Sequence, residues 1–296
     1  MTVITGSEIA IIPAAAMVQQ ASSDEDMIAL WLGRYRSGGT QLGYGRDVRL
    51  FRNTCTKLLA AITVRDMQDF AATLVHLAPA TIARRLSSMK SLLHLAHRLG
   101  YIPFDVGGVV DTPHIKDVLA ERILTEADVQ HMLRLERHPR NAVILRLLYG
   151  AGLRISEACG LRWRDLVARD DAGQITIFGK GGKTRVILLP SALWRHIIAL
   201  RPVVFQPDGP VFLSRKKAGG LGPMQVHRIV KAAAKRAKLP ESISPHWLRH
   251  SHASHALDRG APVHVVQTTL GHASLTTTTR YSHARPGDSS ARYLTA

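Results

Sequence analysis

Apolar residues recur at three- and four-residue steps over most of this chain, and the steadiest run lies between residues 78 and 100. In APATIARRLSSMKSLLHLAHRLG, Ile82, Leu86, Met89, Leu93, Ala96 and Leu99 form one stripe, the core-facing side of an amphipathic helix. Arg84, Arg85, Lys90, His94 and Arg98 lie off that stripe, on a solvated or phosphate-facing side. Similar patterns over 24–36, 42–59 and 64–77 complete four predicted helices. The periodicity fails in YIPFDVGGVVDTPHIKD, where Gly and Pro gather, so 105–119 is expected to be a linker between two domains.

Helical spacing resumes at ILTEADVQHMLRL, where Thr125 and Asp128 have the spacing of a capping box. PRNAVILRLLYGAGLRISEACGL reads as two helical pieces hinged at Gly150 and Gly152. QITIFGKGGKTRVILLP (174–190) alternates instead, and its Gly-rich centre predicts a two-stranded β-hairpin. Five further helical stretches follow, from SALWRHIIAL to SLTTTTRYSH. The expected fold is mainly α: a four-helix domain over 21–104, then a mostly helical domain over 120–296 carrying a small antiparallel sheet. Residues 1–20 lack a basic leading region and are interrupted by Glu8 and Pro13, so they read as a loose tail rather than a signal peptide.

Charge changes this picture. Among 296 residues, Lys and Arg number 39 against 22 for Asp and Glu, a formal net charge of +17. Such an excess points to a polyanionic partner, and nucleic acid fits better than a membrane because no long apolar span is present. Cys55 and Cys159 sit in apolar helical contexts and are expected to be free thiols in a reducing cytoplasm.

The densest candidate chemistry is SPHWLRHSHASHALDRG, with histidines at 246, 250, 252 and 255. His246 and His250 have the spacing of a helical metal-ligand pair, but Trp247 stands where a metalloprotease motif carries glutamate. Arg249 also places a fixed cation beside any proposed ion, and His252 and His255 point away from His246 on the helical wheel. No metal is therefore expected. His246 and Arg249, three apart, share a face with Ala253, Ala256 and Leu257. A histidine and an arginine turned inward together call for an anion, and a phosphate would serve.

GAGLRISE (150–157), GKGGKTR (179–185), HWLRH (246–250), LGH (270–272) and TTTTRYSH (276–283) occur in that order. Together they resemble the motifs of the tyrosine recombinases, the phage integrase and Xer-type family of site-specific DNA recombinases. The likeness covers about 120–296, and the four N-terminal helices resemble that family's SAM-like core-binding domain. It implies that Arg154 and Arg249 hold the non-bridging oxygens of the scissile phosphate, as planar, permanently charged guanidinium groups can. Lys180 resembles the general acid for the departing 5′-oxygen, with Lys183 as its substitute. His246 and His272 would hydrogen-bond the phosphate and aid proton transfer, with Glu157 and His250 in support. Tyr281, nine residues after His272, would be the nucleophile, in preference to Tyr293 near the chain end.

The implied reaction is a transesterification through a 3′-phosphotyrosyl bond, needing neither cofactor, ATP nor metal. Expected partners are duplex DNA at specific recombination sites and further protomers, as a homo-tetramer or a hetero-tetramer with a related recombinase. The tail PGDSSARYLTA (286–296) resembles the segment that relatives dock on a neighbour. Arg84, Arg85, Lys90, Lys183 and Arg185 are expected DNA contacts, and the protein is expected in the cytoplasm with the nucleoid. Where many relatives carry an aromatic residue, this chain has His252, which puts local packing in question. The alternatives are a non-cleaving DNA-binding protein of the same fold, a type IB topoisomerase and a metal-dependent nuclease.

Overall fold

Helix starts are set by short polar side chains. Ser23 Oγ accepts from the amide of Asp26 at 3.1 Å and opens α1 (Asp24–Gly33), whose first turn is acidic. After α2 (Gly38–Thr54), Thr63 and Asp66 exchange side chain and amide in a capping box that starts α3 (Val64–Thr73). Pro79 begins α4 (Pro79–Arg98), where its missing N–H costs nothing. The computed structural model describes residues 20–115, 119–179, 184–215, 219–272 and 274–284, with side chains to 281. Residues 1–116 and 117–296 form two compact units.

In the first unit, Leu86, Met89, Leu93 and Ala96 of the predicted stripe are buried, with Leu92 beside them. They meet Met27, Trp31, Phe51, Met67 and Phe70. Trp31 stacks on Tyr44 with ring centroids 5.2 Å apart and donates its indole N–H to Ser91 Oγ at 3.1 Å. The packing continues past residue 104, into the stretch expected to be linker. Val106–Val109 form a 3₁₀ turn, and Val106 and Val110 are buried in the same core. A Cβ on Gly107 would lie 2.9 Å from the α4 backbone at Lys90, so this glycine permits close packing rather than flexibility.

The second unit is built around α6 (Pro139–Gly150), in which Val143, Ile144, Leu145, Leu147 and Leu148 are all buried. An apolar side chain withdrawn from water contributes roughly 1.5–3 kcal/mol, so a helix covered on several sides anchors its neighbours strongly. Around it pack α5 (Glu126–Arg134), α7 (Ile155–Gly160), α8 (Ser191–Ile198), α9 (Pro223–Arg236) and α10 (Pro245–Asp258). The chain ends its described part with α11 (Val263–Leu270) and α12 (Leu275–Ala284). A small separate cluster of Ile123, Ala253, Val266, Leu270 and Tyr281 joins α10, α11 and α12.

The sheet has three antiparallel strands in the order β1 (Leu166–Arg169), β2 (Ala172–Phe178), β3 (Thr184–Leu189). Ile175 faces Ile187, so Ile175, Ile177, Ile187 and Leu189 line one buried side. The expected hairpin is β2–β3. The additional strand β1 is only four residues long and mostly exposed, too short for alternation to stand out. Asp170, with φ 50°, makes its two-residue turn, a conformation that Asp tolerates. Among the described residues no helix is long and apolar enough to cross a membrane.

Candidate active site

Three chain segments in the second unit converge through arginine. Arg154 precedes α7, and its amide donates to Glu157 Oε2 at 2.8 Å while its Nη1 donates to Oε1 at 2.9 Å. Arg185 on β3 donates from Nη1 and Nη2 to the same carboxylate at 2.9 and 2.8 Å. Arg249 on α10 is buried at 5% exposure; its Nη1 donates to the Gly152 carbonyl and its Nη2 to Leu270 O at 2.6 Å.

The end of α11 organises all three. Its C-terminal carbonyls have no partner inside the helix and carry the negative end of the helix dipole. Arg185 Nε donates to Thr269 O at 2.8 Å, Arg249 Nη2 to Leu270 O at 2.6 Å, and Arg154 Nη2 to Gly271 O at 3.1 Å. Three successive carbonyls thus hold three different guanidinium groups. Gly271 ends the helix in the left-handed region, at φ 63°. Gly152 also needs its glycine: φ is 59°, and a Cβ there would lie 2.8 Å from both His252 and Leu270.

One carboxylate, Glu157, accepts from Arg154 and Arg185, and its charge also acts on Arg249. Burial alone would raise Glu157, but the hydrogen bonds from Arg185 and Arg154 outweigh it and hold the carboxyl down to about 2. Burial and the nearby Arg154 pull Arg249 down to about 10, so it remains charged at neutral pH. The bonds to Gly152 and Leu270 leave Arg249 with further N–H groups, since a guanidinium has five. Beside these groups lies a cleft of about 800 Å³ lined by Arg154, Glu157, Arg185, Gln267, Gly271 and His272. Excess positive charge fixed on rigid backbone makes this a place for an anion.

Aromatic rings complete the site. His246 and His250 lie 6.4 Å apart by ring centroid, and His250 is 5.7 Å from Tyr281. The Tyr281 ring lies parallel to His272, 9° between planes at 6.3 Å, and its hydroxyl is 2.7 Å from His250 Nδ1. His272 Nδ1 is hydrogen-bonded to Thr278 Oγ1 at 2.9 Å. Burial, then the cations and neighbouring imidazoles, lower His246 and bring His250 and His272 down to about 4. All three are neutral at pH 7. Tyr281 is 4% exposed, and burial raises its phenol against the opposing pull of Arg249, Arg280 and Arg154.

The structure therefore gathers Arg154, Glu157, His246, Arg249, His250, His272 and Tyr281 as the motifs predict. Lys180, Lys183 and Tyr293 lie outside the described residues, as does the tail 286–296. Arg185 requires a correction. Its side chain is 9% exposed and committed to Glu157 and Thr269 O, so it is a positioning group in the wall of the cleft rather than a free surface contact. The alternation of β3 carries that signal, for Arg185 shares the covered side with Ile187 and Leu189. In the first unit, Arg84 and Arg85 flank the buried Asp47, and Lys90 donates to the Val110 carbonyl.

The other two histidines of the cluster are structural. His252 packs over Gly152, and His255 is bonded to Tyr149 Oη and Leu124 O at 3.0 Å each. Among the described residues no group of three or more His, Cys, Asp or Glu is arranged to hold a metal ion.

Comparison with known proteins agrees with the motif order. The profile of the phage integrase family matches residues 122–287, and that of the phage integrase N-terminal SAM-like domain matches 27–100. Tyrosine recombinase XerC of Mesorhizobium japonicum is 33% identical over 286 residues, covering 89% of this chain and 90% of that protein. XerC of Methylobacterium nodulans is 34% identical over 295 residues, 90% of each. Among solved structures, a lambda integrase dimer bound to a COC′ core site aligns with TM-score 0.72 at 18% identity, over 90% of this chain and 77% of that one. XerH recombinase bound to its difH substrate in a pre-cleavage complex aligns at 0.65 with 22% identity, over 89% and 82%. These two share the fold.

Proposed function

Because the chain belongs to the phage integrase family of tyrosine recombinases, we propose that it cuts and rejoins duplex DNA at specific sites with Tyr281 as the nucleophile. One observation carries the assignment. Tyr281 stands in the same chain's cluster of Arg154, Arg249 and His272, with its ring on His272 and its hydroxyl bonded to His250.

In this reading the scissile phosphate enters the cleft beside Arg154. Arg154 and Arg249 bind its non-bridging oxygens with the N–H groups not spent on Gly152, Leu270, Gly271 and Glu157. His246 and His272, neutral before DNA binds, add hydrogen bonds to the same oxygens. Tyr281 Oη attacks phosphorus, the bond to the 5′-oxygen breaks, and Lys180 protonates the departing oxygen. The product is a 3′-phosphotyrosyl ester and a free 5′-hydroxyl, and attack by a partner strand's 5′-hydroxyl reverses the step. Arginine and histidine supply the charge stabilisation that a metal ion would otherwise give.

Residues 21–104 are assigned to the core-binding domain and 120–296 to the catalytic domain, with four protomers acting on two paired sites, identical or shared with a related recombinase. The net charge of +17 supports binding through many phosphates, with steep salt dependence. The test is a nicked duplex carrying the recombination site, from which the cleaved fragment escapes and traps the covalent adduct. Peptide mapping is expected to place the adduct on Tyr281, and Tyr281→Phe to abolish it. An adduct that survives Tyr281→Phe overturns the assignment.

A further inference from the structure

A phenol attacking phosphorus must give up its proton, and His246, His250 and His272 are the imidazoles of this site. Their geometry separates them. His272 lies parallel to the Tyr281 ring, with 9° between planes and ring centroids 6.3 Å apart. Its Nδ1 is also engaged with Thr278 Oγ1. His246 contacts the ring of His250, one helical turn along α10. His250 alone of the three has a ring nitrogen on the nucleophilic oxygen, Nδ1 at 2.7 Å, within the range for proton transfer.

We propose that His250 is a catalytic residue, the group that accepts the Tyr281 proton during cleavage and returns it during rejoining. The inference rests on Tyr281 being the nucleophile. With Nε2 carrying the imidazole hydrogen, Nδ1 is an acceptor and Tyr281 Oη donates to it. As Oη bonds to phosphorus, the Oη–H bond breaks and its proton passes to Nδ1, leaving an imidazolium. The P–O5′ bond breaks at the same time, and the leaving oxygen takes its proton from a different group, assigned above to Lys180. In the reverse step the imidazolium protonates Oη as it departs.

The surroundings couple this transfer to DNA. His250 faces His246 and Arg249 from its own helix, Arg122 from the turn before α5, Arg280 and Tyr281 from α12, and His272 from the loop between α11 and α12. With burial, these cations and imidazoles keep His250 neutral and a weak base in the DNA-free protein. A phosphodiester held by Arg154 and Arg249 brings negative charge to the same place and offsets the cations. His250 thereby becomes a better acceptor only when the phosphate is present, which restrains the nucleophile until substrate arrives.

Single-turnover cleavage of the nicked duplex tests this with His250→Asn and His250→Ala, with DNA affinity and thermal unfolding measured alongside. Asparagine keeps a polar group near the Nδ1 position but is no base, so it separates proton acceptance from mere positioning. Expected is a loss of about a hundredfold or more in cleavage, with affinity held within about twofold. The residual rate should rise about tenfold per pH unit as hydroxide replaces the imidazole. Added imidazole should lift His250→Ala, and 3-fluorotyrosine at position 281, a more acidic phenol, should lift His250→Asn more than the parent.

Cleavage by His250→Asn at the parent rate and pH profile overturns the proposal. So does a loss that neither imidazole nor the fluorinated phenol relieves. The parent's adduct is mapped first: absence from Tyr281 rejects the nucleophile assignment, whereas a normal adduct with indifferent His250 variants rejects only this inference.

Discussion

The two units hold arginine in different ways, the first with Arg84 47% exposed and the second with Arg249 buried. In the first, Asp47 is 3% exposed and takes two bonds from Arg84, one of them Nη2 at 2.9 Å, with Arg85 Nε at 4.0 Å. There the aspartate is the buried member, and the Arg84 head group that neutralises it stays largely in water. In the second, Arg154 and Arg185 bond to the single carboxylate of Glu157 and also to Gly271 O and Thr269 O, while Arg249 bonds to the carbonyls of Gly152 and Leu270. Carbonyls fix direction without cancelling charge. At Asp47 the excess positive charge is left to water, whereas at the cleft one carboxylate among three arginines leaves a surplus that carbonyls hold in direction, and an anionic substrate can occupy it.

The contrast is broken most severely at Arg249. Arg249→Ala is expected to cut cleavage of the nicked duplex by about a thousandfold, near the upper loss for one preorganised donor. Arg249→Lys should recover little of it, because one ammonium cannot span Gly152 O and Leu270 O while still meeting a phosphate. If Arg249→Lys cleaves within a few fold of the parent, charge alone matters and the carbonyl geometry does not.

Glu157→Gln sharpens the comparison from the other side. Removing the one carboxylate should destabilise the second unit by about 3 kcal/mol, as for other half-broken buried pairs, and added sulfate should restore part of the loss. Glu157 stands at about 2 in the folded protein against an ordinary 4.5. Its contribution is thus complete above pH 4.5 and is lost as pH falls toward 2. Acid titration of the unfolding midpoint should show that loss in the parent and a flatter profile in Glu157→Gln.

Gly152→Ala comes next, at about 2 kcal/mol, from a left-handed φ and a Cβ pressed on His252 and Leu270. Because the Gly152 carbonyl holds Arg249, cleavage should drop more than the melting temperature suggests. Asp47→Asn is the mildest, costing about 1 kcal/mol in the first unit. The cleavage rate of bound substrate should not change. A slowed chemical step in that variant would dissolve the distinction between the solvated arginines of the first unit and the held arginines of the second.

Much of this was legible beforehand, because side-chain periodicity and spacing are what sequence records best. The stripe from Leu86 to Ala96 is buried as it predicts, and Thr125 caps α5 by accepting from the Asp128 amide at 3.1 Å. Arg154, His246, Arg249, His272 and Tyr281 are each named by the ordered motifs, and the fold of the second unit brings them together. The misreadings have physical causes. Gly107 and Gly108 looked like linker, since a glycine that admits close packing and one that confers freedom are the same letter. Arg185 was expected outside because its charge outweighed its place in the β3 alternation. The bond from Tyr281 to His250 spans 31 residues and follows from how α10 and α12 pack, which no local pattern states.

The carbonyls at the end of α11 have one more consequence. Every amino acid supplies the same carbonyl, so the anchor for Arg185 at Thr269 is indifferent to which side chain stands there. What must persist is the path of the chain: the left-handed turn at Gly271, where a Cβ would crowd Arg185 at 3.1 Å. Lineages that keep this turn are free to drift in side chain at position 269 while the guanidinium groups hold their places.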